Sequence, residues 1–233
     1  MLALGVAIAC TKGNDGDAEL AAAAPTRAAN EASEGTPRAT ARPASSARAE
    51  RILFIGTSLT AGLGLDPSDA FPAVVGRMLD SAGRPAEVVN AGVSGETSAG
   101  ALRRIDWVLR TPADIVVIET GANDGLRGLS VTAARSNIAH IIDRIREQLP
   151  DARILLVQME APPNMGARYT SEFRAMFPEL AREKRVELVP FLLEGVAGEA
   201  SLNQEDGIHP NRAGTRIVAR TMFGAITSTP RRG

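Results

Sequence analysis

Arg51-Ile52-Leu53-Phe54-Ile55-Gly56-Thr57-Ser58-Leu59-Thr60-Ala61-Gly62 is a run of four large apolar side chains that stops at a glycine and passes at once into hydroxyl residues. An uninterrupted apolar run between turn signals reads as a strand buried on both faces, the kind found inside a parallel sheet. Four similar runs follow, at residues 87–90, 114–119, 154–158 and 186–189. Amphipathic stretches separate them. Phe71, Val74, Val75, Met78 and Leu79 lie at helical spacing before Gly83, and Ile138, Ile141, Ile142, Ile145 and Leu149 form a second stripe before Pro150. A last helix is predicted after His209-Pro210-Asn211, with Asn211 as its N-cap and Ile217, Val218 and Met222 facing inward. Alternating strand and helix predicts an α/β fold, a three-layer α/β/α sandwich around a five-stranded parallel sheet. The pattern alone leaves the strand order open. In such sheets the working residues sit on loops beyond the carboxyl ends of the strands.

Outward from this body the composition changes. Residues 1–9 are apolar or Gly and run directly into Cys10, so residues 1–10 are expected to be a signal peptide. The Ala7-Ile8-Ala9-Cys10 ending resembles a bacterial lipoprotein signal, in which the cysteine carries a lipid anchor; an ordinary secretory signal and a frayed apolar N-terminus are the other readings. The two signal readings predict export, to the periplasm or the cell envelope, with membrane contact only through that anchor. Residues 11–50, with Pro25, Pro37 and Pro43 and almost no large apolar side chain, are expected to be a disordered linker. The folded domain is expected at 51–228, followed by a short tail at 229–233, and the chain is expected to be a monomer.

Composition also narrows the chemistry. With 26 basic and 27 acidic residues there is no broad positive field, and only 3% of residues are aromatic, which argues against a nucleic-acid partner. One cysteine and two histidines, His140 and His209, argue against disulfide scaffolds, Cys-rich zinc sites and multi-histidine metal centres. No metal and no cofactor are expected.

Ser58 ends the first strand, where a serine is either a helix N-cap or an exposed nucleophile. A phosphate loop is excluded because GxxxxGK[ST] is missing, and Thr60 occupies the last position of a G-x-S-x-G elbow. A serine nucleophile requires a base and a group that orients the base. His140 falls on the polar side of its helix. Asp206-Gly207-Ile208-His209-Pro210-Asn211 instead sets a carboxylate three residues before an imidazole, in a turn stiffened by Gly and Pro, so His209 is the candidate base and Asp206 its partner. Two more strand-end loops, Asn90-Ala91-Gly92-Val93-Ser94-Gly95-Glu96-Thr97 and Thr120-Gly121-Ala122-Asn123-Asp124-Gly125, offer the Gly92 backbone N–H and the Asn123 amide as oxyanion donors.

These four blocks resemble the SGNH hydrolases, also called the GDSL esterase/lipase family, with Ser58, Gly92, Asn123 and His209 as the four name residues and Asp206 as the triad acid. The resemblance spans Arg51 to about Ile226. Within the family it is similar to the branch of bacterial multifunctional thioesterase/protease/lysophospholipases and arylesterases, through Asn123-Asp124-Gly125-Leu126-Arg127-Gly128, Ala161-Pro162-Pro163-Asn164-Met165-Gly166 and Asp206-Gly207-Ile208-His209-Pro210-Asn211. It implies a flavodoxin-like sheet of order 2-1-3-4-5, no cofactor, and an oxyanion hole from the Ser58 and Gly92 N–H groups plus the Asn123 side chain. It further implies hydrolysis of carboxylic esters, thioesters or lysophospholipids, with Leu126, Met165 and Tyr169 as candidate walls of the acyl pocket. Two departures stand out: Thr57 replaces the usual Asp before the nucleophile, which predicts weaker charge-assisted bonding there, and Glu96 replaces an Asp. Two other readings stay open, an acetyl esterase acting on carbohydrate and a non-catalytic binding protein on the same fold.

Overall fold

The computed structural model describes residues 49–228. The expected signal peptide with Cys10, the linker up to residue 48 and the tail from 229 lie outside the described residues. The strands are β1 (Glu50–Gly56), β2 (Ala86–Gly92), β3 (Ile115–Ile118), β4 (Arg153–Val157) and β5 (Glu187–Val189). All pair in parallel, in the order β2-β1-β3-β4-β5. This is the order implied by the resemblance. The first strand starts at Glu50, one residue before the expected boundary, and Glu50 there pairs with Arg84.

The helices are α1 (Ser58–Ala61), α2 (Phe71–Ser81), α3 (Ser98–Val108), α4 (Ala122–Leu126), α5 (Val131–Gln148), α6 (Ala167–Lys184) and α7 (Arg212–Thr227). Contacts group α2 with α7, and α3 and α6 each with α5, the two outer layers of the sandwich. Both predicted stripes are sound: Val75 and Leu79 of α2, and Ile138, Ile141, Ile142 and Ile145 of α5, are fully buried. Asn211 caps α7 as its side-chain oxygen accepts the N–H groups of Ala213 and Gly214 at 2.9 and 3.2 Å, and its amide donates to the carbonyls of Ser201 and Asn203. The cap therefore also braces the loop that precedes it.

The core is centred on β1, β3 and β4, whose apolar residues are shielded on both faces. Phe54 on β1 meets Phe71 at the start of α2 edge to face, with ring centroids 5.6 Å apart and planes at 81°, so the first strand is locked to the helix that follows it. Two long helices, α3 and α6, stand outside the predicted stripes. The first buries small residues, Ser98, Gly100 and Ala101, beside Ile105 and Val108, and small residues carry little apolar signal. Among the described residues, no helix is long and apolar enough to cross a membrane.

Removing the Phe54 ring leaves a cavity in a site with no exposure. Phe54→Ala is expected to cost about 3–5 kcal/mol of unfolding free energy. Urea denaturation of the two chains measures it, and a loss below about 1 kcal/mol would show that this contact does not anchor the layer.

Candidate active site

All four motif blocks reach the same edge of the sheet because parallel strands end together. The β1 strand delivers Gly56-Thr57-Ser58 to that edge. Thr57, not Ser58, is the N-cap residue of α1, and Ser58 is the first residue of the helix. The capping role for Ser58 therefore does not apply, and its hydroxyl points away from the helix to His209.

The Ser58 Oγ lies 2.9 Å from His209 Nε2, across 151 residues of sequence. On the other side of the ring, Nδ1 lies 2.6 Å from an oxygen of Asp206. A carboxylate accepts only, so Nδ1–H is the donor and Nε2 is left to accept the serine proton. The Asp206 carboxylate also accepts the backbone N–H groups of Ile208 and His209, at 2.9 and 3.0 Å. Gly207 makes this turn with φ +70°, a region costly for other residues. The His209 backbone N–H, the His209 ring and the Ile208 N–H together hold the Asp206 carboxyl down at about 2. Gln204 ties this loop to the serine loop, its amide donating to the carbonyls of Leu63 and Pro210 at 2.8 and 3.1 Å.

Beneath the serine, the Glu119 carboxylate is fully buried. It accepts the Thr57 N–H at 2.8 Å, the Thr57 hydroxyl at 2.9 Å and the Thr60 hydroxyl at 2.8 Å. Burial pushes its pKa above the usual glutamate range, and the donors from Thr57 and Thr60 oppose that rise. The expectation of weaker bonding named no partner for Thr57, and the threonine gives both of its donors to Glu119. The other strand-end carboxylate, Glu160, lines the cavity and pairs with Arg174.

The candidate oxyanion donors divide differently from expectation. Asn123 Nδ2 donates one hydrogen to the Glu96 carbonyl at 3.0 Å, which fixes the amide and leaves its second hydrogen free for a ligand. The Gly92 N–H is taken, donating to the Asn90 side chain at 3.0 Å. A Cβ on Gly92 would come within 2.4 Å of the Ala61 nitrogen, so glycine here serves the close approach of β2 to α1. Gly92 is corrected to a packing residue. Gly95, three residues on, lines the cavity beside Ser58 and Asn123, and neither its N–H nor that of Ser58 has an acceptor among the described residues. The signal was present in the sequence as a second glycine in the same loop, but spacing could not rank the two.

The cavity holds about 480 Å³ and is walled largely by apolar side chains, including Leu63, Leu126, Met159, Phe191, Leu193 and Ile208, with Ser58 and His209 at one side. Leu126 is where it was expected. Met165 and Tyr169 are not part of this lining. The Tyr169 hydroxyl donates to the Leu129 carbonyl at 2.8 Å and its ring stacks on Phe173, while Met165 packs under Gly128, so both support the 124–129 segment from behind. Met159 follows β4 and was findable by the strand-end rule. Phe191 and Leu193 lie in turns after β5 and carry no periodic signal. His140 is exposed on α5, away from these loops. Among the described residues no group of three or more His, Cys, Asp or Glu side chains could hold a metal ion.

A model of the GDSL-like lipase/acylhydrolase family matches residues 54–217. Esterase TesA of Pseudomonas aeruginosa is 42% identical over 166 residues, 70% of this chain and 81% of the relative. Thioesterase 1/protease 1/lysophospholipase L1 of Escherichia coli is 37% identical over 177 residues, 76% of this chain and 83% of the relative. Of solved structures, the psychrotrophic esterase EstA of Pseudoalteromonas, inhibited by monoethylphosphonate, superimposes with a TM-score of 0.73 at 32% identity, covering 77% of this chain and 97% of that one.

The depressed Asp206 pKa fixes a pH window. The interaction stabilises the fold above the unfolded aspartate value, roughly 3.9, and is lost as pH falls toward the folded value of about 2. Between about pH 4 and pH 2 the parent chain is therefore expected to lose stability relative to Asp206→Asn. Unfolding midpoints measured across this range test the sign, and parallel curves for the two chains would contradict it.

Proposed function

The chain belongs to the GDSL-like lipase/acylhydrolase family of serine esterases, and from that premise we propose that it hydrolyses acyl esters or thioesters through an acyl-enzyme on Ser58. The observation that carries the reading is the Ser58–His209–Asp206 chain, 2.9 and 2.6 Å, at the side of an apolar cavity. His209 Nε2 takes the Ser58 proton as Oγ bonds to the acyl carbonyl carbon. The resulting oxyanion meets the Ser58 N–H, the Gly95 N–H and the free Asn123 amide hydrogen. His209 then gives the proton to the leaving alcohol or thiol, the bond to it breaks, and the acyl group remains on Ser58. A water, deprotonated by His209, attacks the acyl carbon and releases the acid. Asp206 stabilises the imidazolium that forms twice in this cycle.

A cavity of about 480 Å³ lies within the range of small-ligand sites, and its Leu, Met, Phe and Ile walls fit a hydrocarbon chain better than an acetylated sugar. Long-chain acyl thioesters and lysophospholipids present such a chain, and an arylester presents an apolar ring. The apolar residues 1–9 before Cys10 support export to the cell envelope, with Cys10 as the candidate lipid attachment site.

On p-nitrophenyl esters from acetate to palmitate, Ser58→Ala should lower kcat by a factor on the order of 10³ or more, and a phosphonate probe should label the parent but not the variant. A folded parent that neither turns over nor labels would leave the non-catalytic binding protein. Asn123→Ala should lower kcat by about 10²–10³ with little loss of stability. Gly92→Ala should instead lower the melting temperature, by overpacking worth about 1–3 kcal/mol. If Gly92→Ala lowered kcat with an unchanged melting temperature, the division of roles between Gly92 and Gly95 would fail.

A further inference from the structure

We infer that the face around the cavity mouth docks on a lipid surface, so that the acyl chain passes from an aggregate into the cavity without crossing water. This rests on the esterase reading above. Seven large hydrophobic side chains are exposed among the described residues, and five of them, Leu63, Val93, Leu126, Leu129 and Ile208, stand on α4 or on loops at the carboxyl edge of the sheet. Singly exposed apolar residues are ordinary; a cluster at a cavity mouth marks a contact surface. Three of the five, Leu63, Leu126 and Ile208, also line the cavity, so the apolar wall continues onto the rim.

The other two serve no packing role within the site, yet their backbones are pinned. The Val93 N–H donates to the Gly56 carbonyl at 2.9 Å, two residues from Ser58. The Leu129 N–H donates to the Asp124 carbonyl at 3.0 Å, and its carbonyl accepts the Tyr169 hydroxyl. Rigid loops that hold Leu, Ile and Val outward gain free energy wherever those side chains leave water.

The rim's chemistry selects an acyl phase over a protein. Its five exposed large hydrophobics are all aliphatic, whereas protein interfaces draw their binding energy chiefly from Trp, Tyr and Arg, with Leu and Val under-represented. Its cation, Arg127, donates to the Gly95 carbonyl at 2.9 Å and has no carboxylate partner among the described residues, which suits the phosphate of a lipid headgroup.

The test uses the full chain and dodecylphosphocholine micelles, with hydrogen exchange as the readout because it reports each loop separately and needs no turnover. Micelles are expected to slow amide exchange at residues 93–97 and 126–130 by roughly tenfold. The Val93→Asp/Leu129→Asp pair should lose that protection and keep the parental rate on p-nitrophenyl acetate, a soluble ester. On lysophosphatidylcholine, the parent rate should rise as the substrate passes its aggregation threshold, and the paired variant should show no rise. If the aspartate pair fails to fold, Val93→Ser/Leu129→Ser replaces it. No protection in the parent, or protection that survives in the paired variant, overturns the inference. Protection that grows with protein concentration in the absence of micelles overturns it in favour of self-association. Protection in a parent that hydrolyses no ester would uphold the docking surface and refute the esterase reading, so the two failures are told apart.

Discussion

Strands β1, β3 and β4 are buried on both faces, and that burial dictates where everything else in the molecule can go. Residues 52–55, 115–118 and 154–157 have no polar side, so helices must cover both faces of the sheet and chemistry is displaced to its ends. Because every strand runs the same way, residues distant in sequence, at Ser58, Asn123 and His209, emerge at one edge. The cavity forms where their loops fail to close over the strand ends.

Bringing loops together does not by itself orient them, and orientation comes from polar groups with little freedom. Glu119 holds Thr57 and Thr60 on either side of Ser58. A buried carboxyl is expensive unless its acceptors are filled, so the energetic demand of Glu119 and the geometric demand of the serine turn are met by the same three bonds. Asp206 plays the matching part for His209, using two backbone N–H groups as well as the ring. Asn123 is fixed through Glu96, whose side chain is itself held by Arg104 at 2.6 Å. Each proposed reacting group thus leans on a polar neighbour that need not touch the substrate.

The same loops leave apolar side chains in water around the mouth. Elsewhere in the described residues the exposed large hydrophobics are only Trp107 and Leu188. An apolar rim continuous with an apolar cavity fits a reaction in which one half of the substrate is hydrocarbon, and it is the part of the surface that a purely structural account leaves unexplained.

Much of this was legible from residue order because the information is local. Four consecutive apolar residues mark a buried strand, the stripes at 71–79 and 138–149 mark helices, and Asp206 to Asn211 is a turn short enough for its side chains to meet. Ser58, Asp206 and His209 could be paired by chemistry, since the chain has only two histidines and one is on a solvated helix face. The choice between Gly92 and Gly95 was not local, for it turns on which N–H is already bonded to Asn90 and which backbone approaches Ala61. Nor was the placement of Tyr169 and Met165 behind the 124–129 segment, or of Phe191 and Leu193 in the cavity wall, because cavity shape is set by how separate loops pack. Spacing and capping rules that act over a few residues were enough to give the layers, the Asn211 cap and the reacting side-chain types. Which donors stay unbonded and which side chains face the cavity emerged in the folded chain alone, because hydrogen-bond saturation and packing are settled between segments distant along the sequence.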